Sequence, residues 1–280
     1  MKPVYIDQIA VGGGKPFVLI AGPCVIEDHE TVMLTARTLK EIAGRLGIPF
    51  IFKASYDKAN RTSADSYRGP GLAEGLELLA QVRSELKIPV VSDIHLPSET
   101  ENAAEVLDLI QIPAFLCRQT DLVSAAAATG KPLNIKKGQF LAPWDMINVI
   151  EKAGKKGNDQ ILLTERGACF GYNNLVADMR SIPIMQETGC PVIFDATHSV
   201  QLPGGAGGTS SGQRGFAPVL ARAALAAGAD GIFIEVHPKP DQALSDGPNS
   251  ISLDTAESVL YGLKAIDEAM RGIENDTTPA

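Results

Sequence analysis

The stretch "PFIFKASYDKANRTS" (49–63) begins as an apolar run and turns within one residue into cations and hydroxyls. The run Ile48 to Phe52 reads as a buried strand. Beyond it stand Lys53, Lys58 and Arg61, with Ser55, Asn60, Thr62 and Ser63 between them. A solvated loop would account for this, and so would a site for a phosphorylated, anionic substrate. If the same switch ends other strands, the second reading gains.

Short apolar runs recur along the chain, each followed by a segment with helical periodicity. Eight can be counted: "PFVLIAGPC" (16–24), "PFIFKAS" (49–55), "PVVSDI" (89–94), "DLIQIPA" (108–114), "PLNIKK" (132–137), "ILLTERG" (161–167), "PVIFDAT" (191–197) and "GIFIEV" (231–236). Several start at proline, whose missing N–H costs little at the first residue of a strand. Between them lie helical stretches such as "HETVMLTARTLKEIAGRLG" and "GLAEGLELLAQVRSELK". The last, "DTAESVLYGLKAIDEAMRG", places Asp254 as N-cap with Glu257 three residues on, a capping-box variant. Repeated βα units imply a parallel sheet, and eight of them in about 250 residues imply a closed barrel. A doubly wound open sheet is the alternative, weakened by the eight consecutive units and by the lack of GxGxxG after the first strand. No linker or composition shift divides the chain, so 1–280 reads as one α/β domain, a (β/α)8 TIM barrel. "VYIDQIAVGGGKP" (4–16) is expected to form a β-hairpin capping the barrel floor, with residues 1–15 as the cap.

Composition limits the function. The chain has 280 residues, 45% hydrophobic and 21% charged, with a net charge of -8. Its sequence pI of about 5.1 argues against broad nucleic-acid binding, so a basic cluster should be a local site. The start lacks the layout of a signal peptide, and no stretch reaches the ~18 apolar residues of a membrane span. Cys24, Cys117, Cys169 and Cys190 show no CxxC pairing, which suits a reducing cytoplasm.

Barrel enzymes carry their chemistry at the C-terminal ends of the strands. Here those ends offer Cys24, Lys53 and Ser55, Asp93, Gln111, Lys136 and Lys137, Arg166, Asp195 with His198, and Glu235 with His237. The strand bodies are apolar, so the opening switch is repeated around the barrel. Lys53, Lys58, Lys136 and Arg166 would gather at one rim and repel each other unless an anion is present. Arg166 could grip a phosphate or carboxylate bidentately. Cys24, His198, Glu235 and Asp246 form a second set, a thiolate, an imidazole and two carboxylates suited to Zn²⁺, Fe²⁺ or Mn²⁺. Taken singly, each lysine also reads as a surface residue and Cys24 as a small buried hydrophobe. "LPGGAGGTSSGQRG" (202–215) is rich enough in glycine for an anion-binding nest or a lid, but nothing matches GxxxxGK[ST].

The segments "AGPCVIE", "FKASYDKANRTS", "SYRGPG", "IQIPAFLCRQTDL", "NIKKGQF", "TERGACFGYNNLVADMR", "FDATHSVQLPG" and "EVHPKPDQALSDGPNS" together resemble the 3-deoxy-D-manno-octulosonate 8-phosphate synthase family, from about residue 5 to 270. The resemblance implies a (β/α)8 barrel, usually a homotetramer. It implies condensation of phosphoenolpyruvate with D-arabinose 5-phosphate and water, in lipopolysaccharide sugar synthesis. By the same resemblance Lys53, Ser55, Lys58, Gln111, Lys136 and Arg166 match phosphoenolpyruvate-binding positions. Asn60, Arg61 and Thr62 match the segment that contacts the pentose phosphate, and Asp93 matches a sugar-contacting carboxylate. Cys24, His198, Glu235 and Asp246 match the metal ligands of the metal-dependent class; the metal-independent class has Asn at position 24. Lys58, Lys136, Asp93, His198 and Asp246 are the candidates for direct catalysis. Thr62 stands where Ser is commoner, and "GQRGFAP" (212–218) departs from relatives that carry a charge near Gly215. The related 3-deoxy-arabino-heptulosonate 7-phosphate synthases, which use erythrose 4-phosphate, typically have "KPRTS" where this chain has "KANRTS". Asn60 favours the pentose phosphate.

Overall fold

A computed structural model describes the backbone of residues 1–61, 63–205 and 210–277 and the side chains as far as residue 273. Thr62 and the centre of the glycine-rich segment (206–209) lie outside the described residues. The barrel strands are β1 (Val18–Gly22), β2 (Phe50–Lys53), β3 (Val90–Asp93), β4 (Leu109–Ile112), β5 (Leu133–Lys136), β6 (Ile161–Glu165), β7 (Val192–Asp195) and β8 (Gly231–His237). Each pairs in parallel with the next, and β8 pairs with both β7 and β1, which closes the ring. The helices between and after them are α1 (His29–Leu46), α2 (Leu72–Leu86), α3 (Thr100–Val106), α4 (Thr120–Ala128), α5 (Met146–Gly154), α6 (Ser181–Gln186), α7 (Ala217–Ala226) and α8 (Leu253–Thr277). None of the described helices is long and apolar enough to cross a membrane.

Pro49, Pro89, Pro132 and Pro191, which open four of the motifs, stand one residue outside the strands. Their carbonyls accept from the neighbouring strand: Leu19 N to Pro49 O (2.8 Å), Phe52 N to Pro89 O (2.9 Å), Ile110 N to Pro132 O and Leu163 N to Pro191 O (both 3.0 Å). A residue without an N–H therefore starts each of these strands on the acceptor side, where nothing is lost.

Side chains alternate across each strand with period two, and this decides what enters the lumen. Val18, Ile20, Ile51, Val91, Leu109, Leu162, Ile193 and Phe233 form one buried cluster with Val4, Ile6 and Val11. The last three come from an antiparallel hairpin, Val4–Ile6 with Ile9–Val11, so the expected floor cap is present. The alternate residues, among them Leu19, Phe52, Val90, Ile110, Leu133 and Phe194, pack outward against the helices in the larger core. Two steps above the lumen's apolar floor, the same parity brings in Lys53, Asp93, Gln111, Asp195 and Glu235, and Lys136 lies two above Asn134.

At its N-terminus α1 is capped by Asp28, whose Oδ1 accepts from Thr31 N at 2.7 Å, and at its C-terminus by Gly47 at φ 66. Asp254 does not cap α8. The helix starts at Leu253 and places Asp254 in its first turn, where an acidic side chain still suits the helix dipole. The residue just before it, Ser252, contacts the Thr255 hydroxyl at 3.0 Å.

Candidate active site

A cleft of about 300 Å³ opens at the C-terminal end of the barrel. Lys53, Lys58, Asn60, Arg61, Asp93, Gln111, Lys136, Arg166, His198 and Asp246 line it, bringing together residues from seven strands or their following loops. Ser55 is buried behind the wall, where its hydroxyl donates to Asp93 Oδ1. Gln111 belongs to a polar layer within the lumen, in which Thr164 donates to Asn134 and Asn134 donates to Gln111 Oε1 (3.0 Å).

The two charge groups expected from sequence are interleaved rather than separate. Lys53 Nζ lies 3.0 Å from Glu235 Oε1 and also donates to the carbonyl of Cys24 at 2.7 Å. Lys58 Nζ stands 3.9 Å from the same glutamate oxygen. Lys136 pairs with Asp195 and lies 3.6 Å over the Phe233 ring. Repulsion among the cations is therefore relieved in advance by carboxylates from β3, β7 and β8. The physical reason is burial: an isolated charge here would lose its hydration without return. Of Lys53, Lys58, Lys136 and Arg166, only Arg166 has no carboxylate contact of this kind among the described residues. Its Nη2 donates to Gln201 Oε1 (2.8 Å) and to the carbonyl of His198 (3.3 Å), while its buried Nε has no partner among the described residues.

Burial opposes ionisation of Asp93, yet Lys58 and His95 hold its carboxyl well below the usual range. Asp195 is buried too, and His198 and Lys136 keep it ionised in the same way. Burial pushes the Lys136 ammonium below an ordinary lysine, against the pull of Asp195. For Lys58 burial works in the same direction but is outweighed by Cys24, Asp93 and Glu235, and the group is raised.

Cys24, Glu235 and Asp246 place one donor atom each within 4.8 Å of one another. Cys24 Sγ is 3.6 Å from Asp246 Oδ2. His198 Nε2 is 3.5 Å from both Glu235 Oε1 and Asp246 Oδ2. A tetrahedral ion with bonds of about 2.0–2.3 Å sets its donor atoms roughly 3.3–3.7 Å apart. The Cys24–Asp246, His198–Glu235 and His198–Asp246 separations have that spacing. His198 Nδ1 lies 2.7 Å from Asp195 Oδ2; a carboxylate accepts, so Nδ1 carries the proton and Nε2 faces Glu235 and Asp246. Such a carboxylate–histidine contact fixes the tautomer of a metal-binding imidazole. Glu235 Oε2 is buried and has no hydrogen-bond partner among the described residues. Sulfur, nitrogen and carboxylate oxygen in one pocket fit Zn²⁺, Fe²⁺ or Mn²⁺, so these residues fit the expected ion. Burial pushes the Cys24 thiol far up, with Glu235 adding to the effect, so an ion must displace a proton to gain the thiolate.

His237, grouped with Glu235 at the end of β8, leaves the cluster and faces Glu27 at 3.4 Å. The cleft also contains residues that strand-end reasoning passed over. Ser245 accepts from the Cys24 thiol (3.0 Å) and from Arg61, and Gln201 bridges Arg166 and Asp246. His95 supports Asp93 from behind at 3.1 Å. Position beside a candidate ligand was the available signal for Ser245 and His95; for Gln201 there was none. In the glycine-rich segment, Gln201–Leu202 and Ser211–Gly212 form a short antiparallel ladder next to the cleft.

The DAHP synthetase I family profile matches residues 2–271. The 2-dehydro-3-deoxyphosphooctonate aldolase of Desulfosudis oleivorans is 64% identical over 267 residues, covering 95% of this chain and 96% of its own. Proteins of the same name from Geotalea daltonii (60% over 271 residues, 97% and 100% covered) and Desulfotalea psychrophila (61% over 275 residues, 96% and 98% covered) are similar across the same span. A closed eightfold barrel, polar strand ends and likeness along nearly the whole length converge: the chain belongs to the DAHP synthetase I family.

Proposed function

We propose that this protein is a 3-deoxy-D-manno-octulosonate 8-phosphate synthase, condensing phosphoenolpyruvate with D-arabinose 5-phosphate and water and releasing phosphate. The observation that carries the reading is the cleft itself, where Lys58, Lys136, Arg166 and Arg61 surround one space beside the Cys24–His198–Glu235–Asp246 quartet. Two anionic substrates need cations at two places, and the cleft supplies them from β5 and β6 on one side and from the loop after β2 on the other.

Arg166 and Lys136 hold the phosphate and carboxylate of phosphoenolpyruvate; Arg166 offers its unpartnered Nε. Lys58 approaches from the side of Glu235. Lys53, which also lines the cleft, is held in place by Glu235 and the Cys24 carbonyl and adds a further cation on the phosphoenolpyruvate side. Arg61 and Asn60 receive the pentose phosphate, and Asp93, ionised and braced by Ser55 and His95, accepts from a sugar hydroxyl. The enol carbon forms the new C–C bond to the aldehyde carbon, whose oxygen gains a proton. Water adds at C2 and gives up one proton; phosphate then departs with the electrons of its C–O bond as the C2 hydroxyl becomes a carbonyl, its proton leaving with the phosphate. Oriented cations stabilise the developing charges and hold the reacting carbons in contact. A divalent ion held by Cys24, His198, Glu235 and Asp246 supplies Lewis-acid polarisation when bound.

A cytoplasmic homotetramer is part of the same proposal. Four free cysteines suit a reducing compartment. Phe115, Phe140, Trp144 and Phe170 stand more than half exposed on the loops after β4, β5 and β6, an apolar surface of the kind that subunits cover. The test of function is product identity. Incubation with phosphoenolpyruvate and arabinose 5-phosphate should yield an eight-carbon sugar acid phosphate by mass, with one phosphate per product. Chelation should remove the activity and Mn²⁺ should restore it. Phosphoenolpyruvate consumed without an eight-carbon product would reject the reading.

A further inference from the structure

We propose that Gln201 is a positioning residue that sets both Arg166 and Asp246, so that one amide controls the affinity of the cleft for an anion and for a metal ion. The proposal rests on the reading of the cleft given above. Gln201 follows β7 and is held by its backbone in the ladder with Gly212. Its Oε1 accepts from Arg166 Nη2 at 2.8 Å, and its Nε2 donates to Asp246 Oδ1 at 3.3 Å.

The chemistry leaves little choice of residue. A guanidinium only donates and an ionised carboxylate only accepts. A group placed between them must accept on one side and donate on the other. A primary amide does this; a carboxylate, an ammonium or an aliphatic chain does not. The same logic fixes which way the amide faces, because a flipped amide would set NH₂ against Arg166 and oxygen against Asp246.

Both partners need the support. Among the described residues, Arg166 has no carboxylate beside it to orient the guanidinium, and its buried Nε has no partner. Asp246 sits at φ 50, a left-handed conformation that a non-glycine residue holds at a cost. With Oδ1 tied to Gln201, Oδ2 is left to face Cys24 and His198. The amide thus orients one carboxylate oxygen toward the quartet while holding the guanidinium over the cleft.

Two variants of the full chain test this, with melting temperatures recorded for each. Mn²⁺ affinity is measured by calorimetry without substrate, and phosphoenolpyruvate affinity is measured on chelated protein. Gln201→Met removes both hydrogen bonds, and each affinity should fall about tenfold, the size of a lost hydrogen bond to a charged group. Gln201→Glu should separate the two effects. Its added negative charge should leave Mn²⁺ bound at least as tightly as in wild type, while neutralising Arg166 and weakening phosphoenolpyruvate about tenfold or more. General loosening of the fold cannot produce those opposite signs. If Gln201→Met binds either ligand within about twofold of wild type, the proposal is overturned, since about 0.4 kcal/mol is below one hydrogen bond. A wild type that binds Mn²⁺ but no phosphoenolpyruvate would instead overturn the proposed activity, and the anion half of this proposal with it.

Discussion

On the ammonium group of Lys136, burial, a carboxylate and an aromatic face act together. Asp195 anchors it, the Phe233 ring lies 3.6 Å away, and burial makes it more acidic than an exposed lysine. Charges fixed in such a dry setting act on a developing negative charge without reorganising water. Lys136→Met and, separately, Arg166→Met should each lose about 2–4 kcal/mol of transition-state stabilisation, read as kcat/KM. Near-normal kcat/KM in both would place these cations outside the reaction. His95 offers a test by pH. Burial lowers its pKa, but Asp93, Glu99 and Asp57 outweigh that and raise it, with Asp93 3.1 Å from Nε2. A raised histidine stabilises the folded state fully below its unfolded pKa of about 6.5, and the benefit is lost as pH climbs through the folded value. Asp93 stays ionised throughout that range, because its own carboxyl is held low. The melting temperatures of wild type and His95→Gln should therefore differ most near pH 5–6 and converge above neutrality. A difference unchanged from pH 5 to pH 9 would contradict the charged pair.

The strands and helices show which parts of the site a linear reading can reach. Period-two alternation places Lys53 above Ile51, Asp93 above Val91 and Asp195 above Ile193, so lumen-facing site residues follow from counting along each strand. Their partners do not. Lys53 and Glu235 are 182 residues apart, and Arg61 and Ser245 are 184 apart. Such contacts come from barrel closure and from the path of the loop after β8, which no local pattern describes. That is why the cations and carboxylates looked like two sets when they form one network. Helix ends follow local rules with more latitude. Asp28 caps α1 by accepting from Thr31 N, whereas Asp254 stands two positions too late, because α8 begins at Leu253. Asp28→Ala should cost about 1 kcal/mol of stability without changing kcat/KM. In urea melts the midpoint should fall with the slope unchanged. An unaltered midpoint would mean that water replaces the cap.

For the whole molecule, the decisive event is the closure of β8 onto β1. It sets Glu235 beside the end of β1 and gathers Cys24, Glu235 and Asp246 around one point, although 222 residues separate Cys24 from Asp246. The hairpin Val4–Ile6/Ile9–Val11 seals the other end with apolar side chains, so the polar cleft opens at one end only. The eight strands were legible from their apolar runs. The glycine-rich segment after β7 was legible only as a candidate nest or lid, and its centre lies outside the described residues. The central claim is that this cleft joins phosphoenolpyruvate to a five-carbon aldose phosphate, and acceptor choice tests it most directly. Phosphate release should be followed with Mn²⁺-loaded protein, phosphoenolpyruvate, and either arabinose 5-phosphate or erythrose 4-phosphate. Asn60 and Arg61 in the wall of the cleft call for the longer sugar, so kcat/KM should be greater for arabinose 5-phosphate by about a hundredfold, worth ~2.7 kcal/mol, or more. Equal kcat/KM for the two, or a preference for erythrose 4-phosphate, would contradict it.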